Sequence, residues 1–265
     1  MKNIYLGDTH GRDTWKRIIE EHPDADNIVF IGDYFDAFDI SGIEQLRNAQ
    51  EIVEFKRQRE LDPTKKVYLL IGNHDIHYWP GFRDRGNTSG FQSTMMHQFE
   101  QFFRENETMF QMSIILGNRL CTHAGVSYLF LKETGYWTEI LRTGEERSVD
   151  NYLNDLFKYK PNEFSFTALF DRGNHVHLDP YGDTEGQSPV WIRPLALQRG
   201  NRKTFLNTDY IQIMGHTQQK HIDITGKTTG GRYCYIDTIA VGEYLIDIDN
   251  EFSIGKVITH TQLAG

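Results

Sequence analysis

Between residues 2 and 71 the hydrophobic period switches back and forth. The apolar runs KNIYL at 2–6, NIVFI at 27–31 and KVYLLI at 66–71 have the length of short buried strands. The stretches between them, about 12–22 and 42–60, carry helical spacing. Strand, helix, strand, helix, strand implies parallel strands joined by right-handed crossovers. A sheet of that kind places ligand sites beyond the carboxyl ends of its strands. Those ends are where this chain becomes polar.

The first strand runs into GDTHG, offering Asp8 and His10, and the second into GDYFD, offering Asp33. The third runs into GNHD, offering Asn73 and His74. Further on, RLC leads into THAG with His123, and YIQIM leads into GHT with His216. Taken singly, each motif is ordinary turn or capping chemistry. Five in order, each following an apolar run, point to one shared site. The second strand end also carries Asp36 and Asp39. Close carboxylates repel one another unless a cation sits among them or one takes a proton. Carboxylate, imidazole and amide oxygen together suit Mn, Zn, Fe, Co or Mg rather than a thiolate-selected metal. A carboxylate between two such ions can bridge them, and a pair about 3.5–4 Å apart suits in-line displacement at a phosphoester.

The rest of the chain narrows the class. A helix is expected near 92–105, then the apolar run FQMSIIL, a tight turn at Gly117-Asn118, mainly helical sequence from 126 to about 170, and a loop over 171–189. The last quarter returns to strands in YIQIMG, KHIDI, RYCYID, EYLIDI and FSIGKVIT. With no repeat or low-complexity linker, 1–265 reads as a single domain with a helix- and loop-rich insertion at about 126–190. No apolar run approaches the roughly 20 residues of a membrane helix. The start of the chain lacks a signal-peptide core, and Cys121 and Cys234 read as buried free thiols, so cytoplasm is the expected location and no membrane partner is expected. A net charge of −9 disfavours broad binding to nucleic acid.

In order, GDTHG, GDYFD, GNHD, THAG and GHT resemble the metal-binding motifs of the calcineurin-like metallophosphoesterases. The branch they most resemble holds Ser/Thr protein phosphatases, phage-type protein phosphatases and bacterial diadenosine tetraphosphate hydrolases. The resemblance implies an α/β four-layer sandwich, two mixed sheets flanked by helices. It implies two divalent ions, with manganese first among Mn, Fe, Zn, Co and Mg. Asp8 and His10 would hold one, Asp33 would bridge, and Asn73, His123 and His216 would hold the other. His74 would protonate the leaving oxygen and Asp36 would orient it. The implied reaction is hydrolysis of a phosphomonoester by metal-bound hydroxide, the substrate being a phosphorylated small molecule, nucleotide or phosphoprotein. Dinucleoside polyphosphate or diester hydrolysis is the alternative, and a non-catalytic binding protein a further one.

The sequence departs from the pattern in places. Where the family has arginine and glycine after its second aspartate, this chain has Ala37 and Phe38. Asp171-Arg172-Gly173 lies too far along to supply the missing pair. SPVWIRPL at 188–195 resembles the family's Trp-x-Arg segment, which makes Arg193 the candidate phosphate clamp. Relatives with Gly-His-x-His complete the first metal site with the second histidine; the matching residue here is Gln218, a weak ligand at best. Asp237 in YIDT reads as structural and Asp39 as solvated, and His175 and His177 form a His-x-His of open role.

Overall fold

The computed structural model describes residues 1–86, 88–168, 179–224 and 233–259. The leading pattern folds as expected: β1 (Lys2–Leu6), α1 (Thr14–Glu21), β2 (Asn27–Phe30), α2 (Gly42–Arg59) and β3 (Lys66–Leu70). The strands pair in parallel, with Ile4 opposite Ile28 and Ile28 opposite Val67. α2 begins where Ser41 and Glu44 close a capping box, each accepting the other's backbone N–H. Alternation along β1 and β2 sends Ile4, Leu6, Ile28 and Phe30 one way and Tyr5, Val29 and Ile31 the other. The first set packs under α1, α2 and the helix α4 (Met96–Asn106) through Trp15, Ile18, Ile52, Phe99 and Phe103.

The second set meets another sheet. Later elements are α3 (Asn73–Ile76), β4 (Phe110–Gln111), β5 (Ser113–Leu116), β6 (Arg119–Thr122), α5 (Tyr128–Thr134), α6 (Tyr136–Thr143) and α7 (Val149–Tyr159). They continue with α8 (Pro194–Gly200), α9 (Phe205–Thr208), β7 (Ile211–Met214), β8 (Asp223–Ile224), β9 (Tyr233–Tyr235), β10 (Glu243–Ile248) and β11 (Glu251–Lys256). One sheet runs β11-β10-β1-β2-β3-β4 and the other β5-β6-β7-β9-β8, and both mix parallel with antiparallel pairs. Tyr5, Val29, Ile31, Leu70 and Leu245 of the first pack on Cys121, Ile213, Cys234 and Ile236 of the second. α8 covers the second sheet's far side, where Ala196 and Leu197 meet Met214, Tyr233 and Tyr235. The result is the expected four layers.

FQMSIIL is not one strand. It divides at Met112, giving β4 to the first sheet and β5 to the second. The Asn154 side-chain oxygen accepts from the N–H groups of Met112 and Ser113, so the crossing leaves neither donor unsatisfied. A second tie crosses between the sheets. Arg119 of β6 and Asp247 of β10 are each 3% exposed and meet at 2.9 Å, with Phe252 4.6 Å from the guanidinium. The expected insertion holds α5, α6 and α7; Asp171 to Gly173, His175 and His177 lie outside the described residues. Among the described residues no helix is long and apolar enough to cross a membrane.

Candidate metal centre

All five polar strand ends converge between the sheets. Asp8 and Asp33 leave β1 and β2 at the same edge, Asn73 opens α3 directly after β3, and His123 and His216 follow β6 and β7. Asp8, Asp33 and His123 are buried, and each offers a ligand atom within 4.8 Å of the other two. The close approach explains the glycines ahead of Asn73 and His216. A Cβ at Gly72 would collide with the Asp33 carboxylate, and one at Gly215 with that of Asp8.

The backbone is bent to achieve this. Of the seven described non-glycine residues with positive φ, four are His10 (43°), Asp33 (54°), Asp36 (67°) and His216 (63°). Each such residue costs on the order of 1–3 kcal/mol and persists only where its surroundings over-determine it. Here they do. The Asp75 carboxylate accepts from Asp33 N–H at 2.7 Å, Tyr34 N–H at 2.8 Å and Gly72 N–H at 2.9 Å, lashing the ends of β2 and β3 together. Asp33 in turn accepts from His74 N–H at 2.9 Å, and His10 N–H donates to the Asp33 carbonyl at 2.7 Å. Burial, with Asp33 alongside, pushes the Asp75 carboxyl up to about 7.

The histidines show what the site is shaped to hold. A carbonyl oxygen can only accept, so the ring nitrogen facing one carries the proton. His10 donates from Nδ1 to Phe35 O at 2.6 Å, His123 from Nδ1 to Ile31 O at 3.0 Å, and His216 from Nε2 to Trp191 O at 3.1 Å. In the neutral rings, the other nitrogens are therefore lone pairs, and they point inward. His123 Nε2 and His216 Nδ1 both lie 2.8 Å from the Asn73 amide oxygen. His123 Nε2 is also 3.3 Å from Asp33 Oδ2, and His10 Nε2 is 3.8 Å from the same atom. Acceptors facing acceptors at these distances call for positive charge between them, and the donor set fits a divalent cation.

Titration behaviour follows from the same crowding. Burial works against the Asp33 carboxylate, but the imidazoles of His123, His74 and His10 outweigh it and hold its pKa below the usual range. Asp8 goes the other way, raised by burial and then by Asp237 and Asp33. Burial lowers His123, yet Asp33 prevails and its net shift is upward. His216 is pushed well down by burial, Arg193 and His123.

His74 stands at the rim. Its Nδ1 lies 3.0 Å from Asp36 Oδ2, and the other Asp36 oxygen accepts from the Tyr78 hydroxyl at 2.5 Å. Burial lowers the imidazolium's pKa, but Asp33 and Asp36 together raise it above the ordinary value. Asp36 itself is raised, chiefly by burial. The anchored Nδ1 leaves Nε2 for the cleft, a volume of about 230 Å³ whose walls include Asp8, His10, Asp36, Ala37, His74 and Gln218.

Gln218 is exposed on that wall, and no described hydrogen bond involves its side chain. Arg193 lies against the loop after β7. It donates from Nη1 to His216 O at 3.1 Å and Thr217 Oγ1 at 3.0 Å, and from Nε to Tyr181 O at 3.0 Å. Two sequence readings change. Asp237, read as structural, also lines the cleft, and its charge adds to burial in raising Asp8. Asp39 is not simply solvated, since both its oxygens bind Arg12. The position of Asp237, directly after an apolar run as at the other five strand ends, was the available signal.

The family model for calcineurin-like phosphoesterases matches residues 1–220. No curated protein matches the sequence. The crystal structure of a metallophosphoesterase from Sphaerobacter thermophilus is similar at 11% identity, over 98% of this chain and 89% of that one, with a TM-score of 0.40. On the match to its model over most of its length, the chain belongs to the calcineurin-like phosphoesterase family.

Proposed function

We propose that the protein is a two-metal phosphomonoesterase. The observation that carries this reading is the set of inward-facing lone pairs around Asn73 and Asp33, with their other ring nitrogens tied to carbonyls. Asp8, His10 and Asp33 would hold one ion. Asp33, Asn73, His123 and His216 would hold the other. When bound, two divalent cations supply a water nucleophile and neutralise the phosphoryl oxygens. His74 gives a proton from Nε2 to the departing oxygen, and Asp36 fixes the ring and favours its protonated form. Arg193, a cation fixed beside His216, attracts the phosphoryl group.

Manganese is the metal of first choice, and a cytoplasmic phosphorylated small molecule, nucleotide or phosphoprotein the substrate. A second reading, diester or dinucleoside polyphosphate hydrolysis, is favoured by one feature. The cleft shares Arg12, Asp39 and Ala240 with a neighbouring cleft of about 490 Å³, which leaves room for a second substituent.

The deciding experiment strips the protein with chelator, restores Mn²⁺, and compares p-nitrophenyl phosphate with bis-p-nitrophenyl phosphate. Metal-dependent turnover of the monoester is expected to dominate. Cleavage of the diester alone overturns the monoesterase reading, and no metal-dependent turnover of either overturns the enzyme.

A further inference from the structure

We infer that Arg12 binds the non-bridging oxygens of the substrate's phosphoryl group, and that Asp39 competes with the substrate for it. This rests on the phosphoesterase reading above and adds a specificity residue to that site. Among the described residues, Arg12 is the one Lys or Arg side chain that lines the cleft containing Asp8, His10 and His74. The same wall carries Ala37, a small uncharged side chain that supplies no phosphate contact of its own. Asp36 and Asp237, which are not among the proposed metal ligands, also line that wall, so a guanidinium beside them favours an incoming dianion.

Arg12 is placed for the role. Its Nη1 reaches His10 O at 3.4 Å, and its Nη2 lies 3.0 and 3.1 Å from the two Asp39 oxygens. Its charge is near enough to act on both His10 and Asp237. Arg193, by contrast, spends its Nε and Nη1 on two carbonyls and a hydroxyl. The Arg12–Asp39 pair is open to water on the Asp39 side, with side chains 28% and 66% exposed. A pair that exposed is weak and exchanges readily. A phosphate dianion beside the metal site offers the same fork-shaped acceptor with more charge. Arg12 and Asp39 also belong to the wall shared by the two clefts, so the guanidinium that pairs with Asp39 borders the same cleft as His74.

The test uses Mn²⁺-loaded protein and inorganic phosphate as the probe, with inhibition constants, kcat/KM for p-nitrophenyl phosphate and metal content measured together. Arg12→Ala is expected to weaken phosphate binding about ten- to a hundredfold, the range for a charge-assisted bidentate contact, with metal content unchanged. Arg12→Lys should recover part of the loss, as should added guanidinium ion on Arg12→Ala. Asp39→Asn should tighten phosphate binding severalfold, and that gain should vanish in the double variant. Wild-type binding in Arg12→Ala overturns the inference. So does Asp39→Asn weakening phosphate as much as Arg12→Ala, which would make the pair a structural brace. If wild-type protein neither binds phosphate nor turns over substrate, the phosphoesterase reading falls and this inference with it. If wild type does both and Arg12→Ala is silent, only this inference falls.

Discussion

Replacing Asp36 by asparagine isolates one charge from the site's geometry. Asp36 is buried and has two partners, the His74 Nδ1–H at 3.0 Å and the Tyr78 hydroxyl at 2.5 Å. Asparagine keeps the size, can accept from His74 through its carbonyl and can donate to the Tyr78 oxygen through its amide, so the ring stays in place. What is lost is the carboxylate that stabilises the imidazolium. A hydrogen bond to a charged group contributes about 1.5–3 kcal/mol, and one pKa unit is about 1.4 kcal/mol. His74 should therefore lose its proton about one to two units lower in the variant. As a proton donor it is active below its pKa and silent above, so the alkaline limb of kcat/KM moves down in pH by the same amount. Above both limbs an alkyl phosphomonoester should react about ten- to a hundredfold more slowly. p-Nitrophenyl phosphate, whose leaving group needs little protonation, should change less. The assay is the pH profile on both substrates with metal content checked. A variant whose activity falls equally at every pH, with the limb in its original place, would refute the proton-donor role of His74.

Three further predictions follow from the same geometry. Asp33→Asn removes the carboxylate shared by His10, His123 and His74, so bound metal by mass spectrometry should fall at both positions and turnover should vanish; near-normal stoichiometry would end the bridging assignment. Gln218→His should add an imidazole to the Asp8 and His10 side of the cleft and slow loss of the more labile ion to chelator, and unchanged loss kinetics would count against Gln218 as the weak point. Asp247→Ala leaves Arg119 buried without its carboxylate, which should cost about 3–5 kcal/mol of stability in urea denaturation; a loss under about 1 kcal/mol would mean that Asn118 and Phe252 suffice to hold the guanidinium.

Much of the architecture could be read before any coordinates, for a physical reason. β1, β2 and β3 are central strands covered on both faces, and such strands must be apolar almost throughout, so they stand out from the helices between them. Their polar residues could be read as a site because each lies directly after its strand. The division of FQMSIIL was hidden, because one uninterrupted apolar run served two sheets and its turning point is held by Asn154, more than forty residues away. The pairing of Asp39 with Arg12 was hidden too, since it depends on how the loops after β1 and β2 lie against each other. Ring tautomers belong in the same group. No sequence shows that the carbonyls of Phe35, Ile31 and Trp191 choose which nitrogen faces inward.

The two cysteines turn the seam between the sheets into a clock. Cys121 and Cys234 both register with Ile213, one from each side, so they stand two strand spacings apart, about 9–10 Å, beyond the roughly 7 Å that a disulfide can span. Burial raises both thiols, Cys234 to about 12, so neither forms appreciable thiolate at neutral pH while the sheets stay closed. A thiol reagent therefore reports openings that reach the seam. Cys121 lies two residues before His123 and Cys234 three before Asp237, so an opening that bares either sulfur also pulls apart the ends of β6 and β9. Ions that bind only the closed form should slow labelling in proportion to their occupancy.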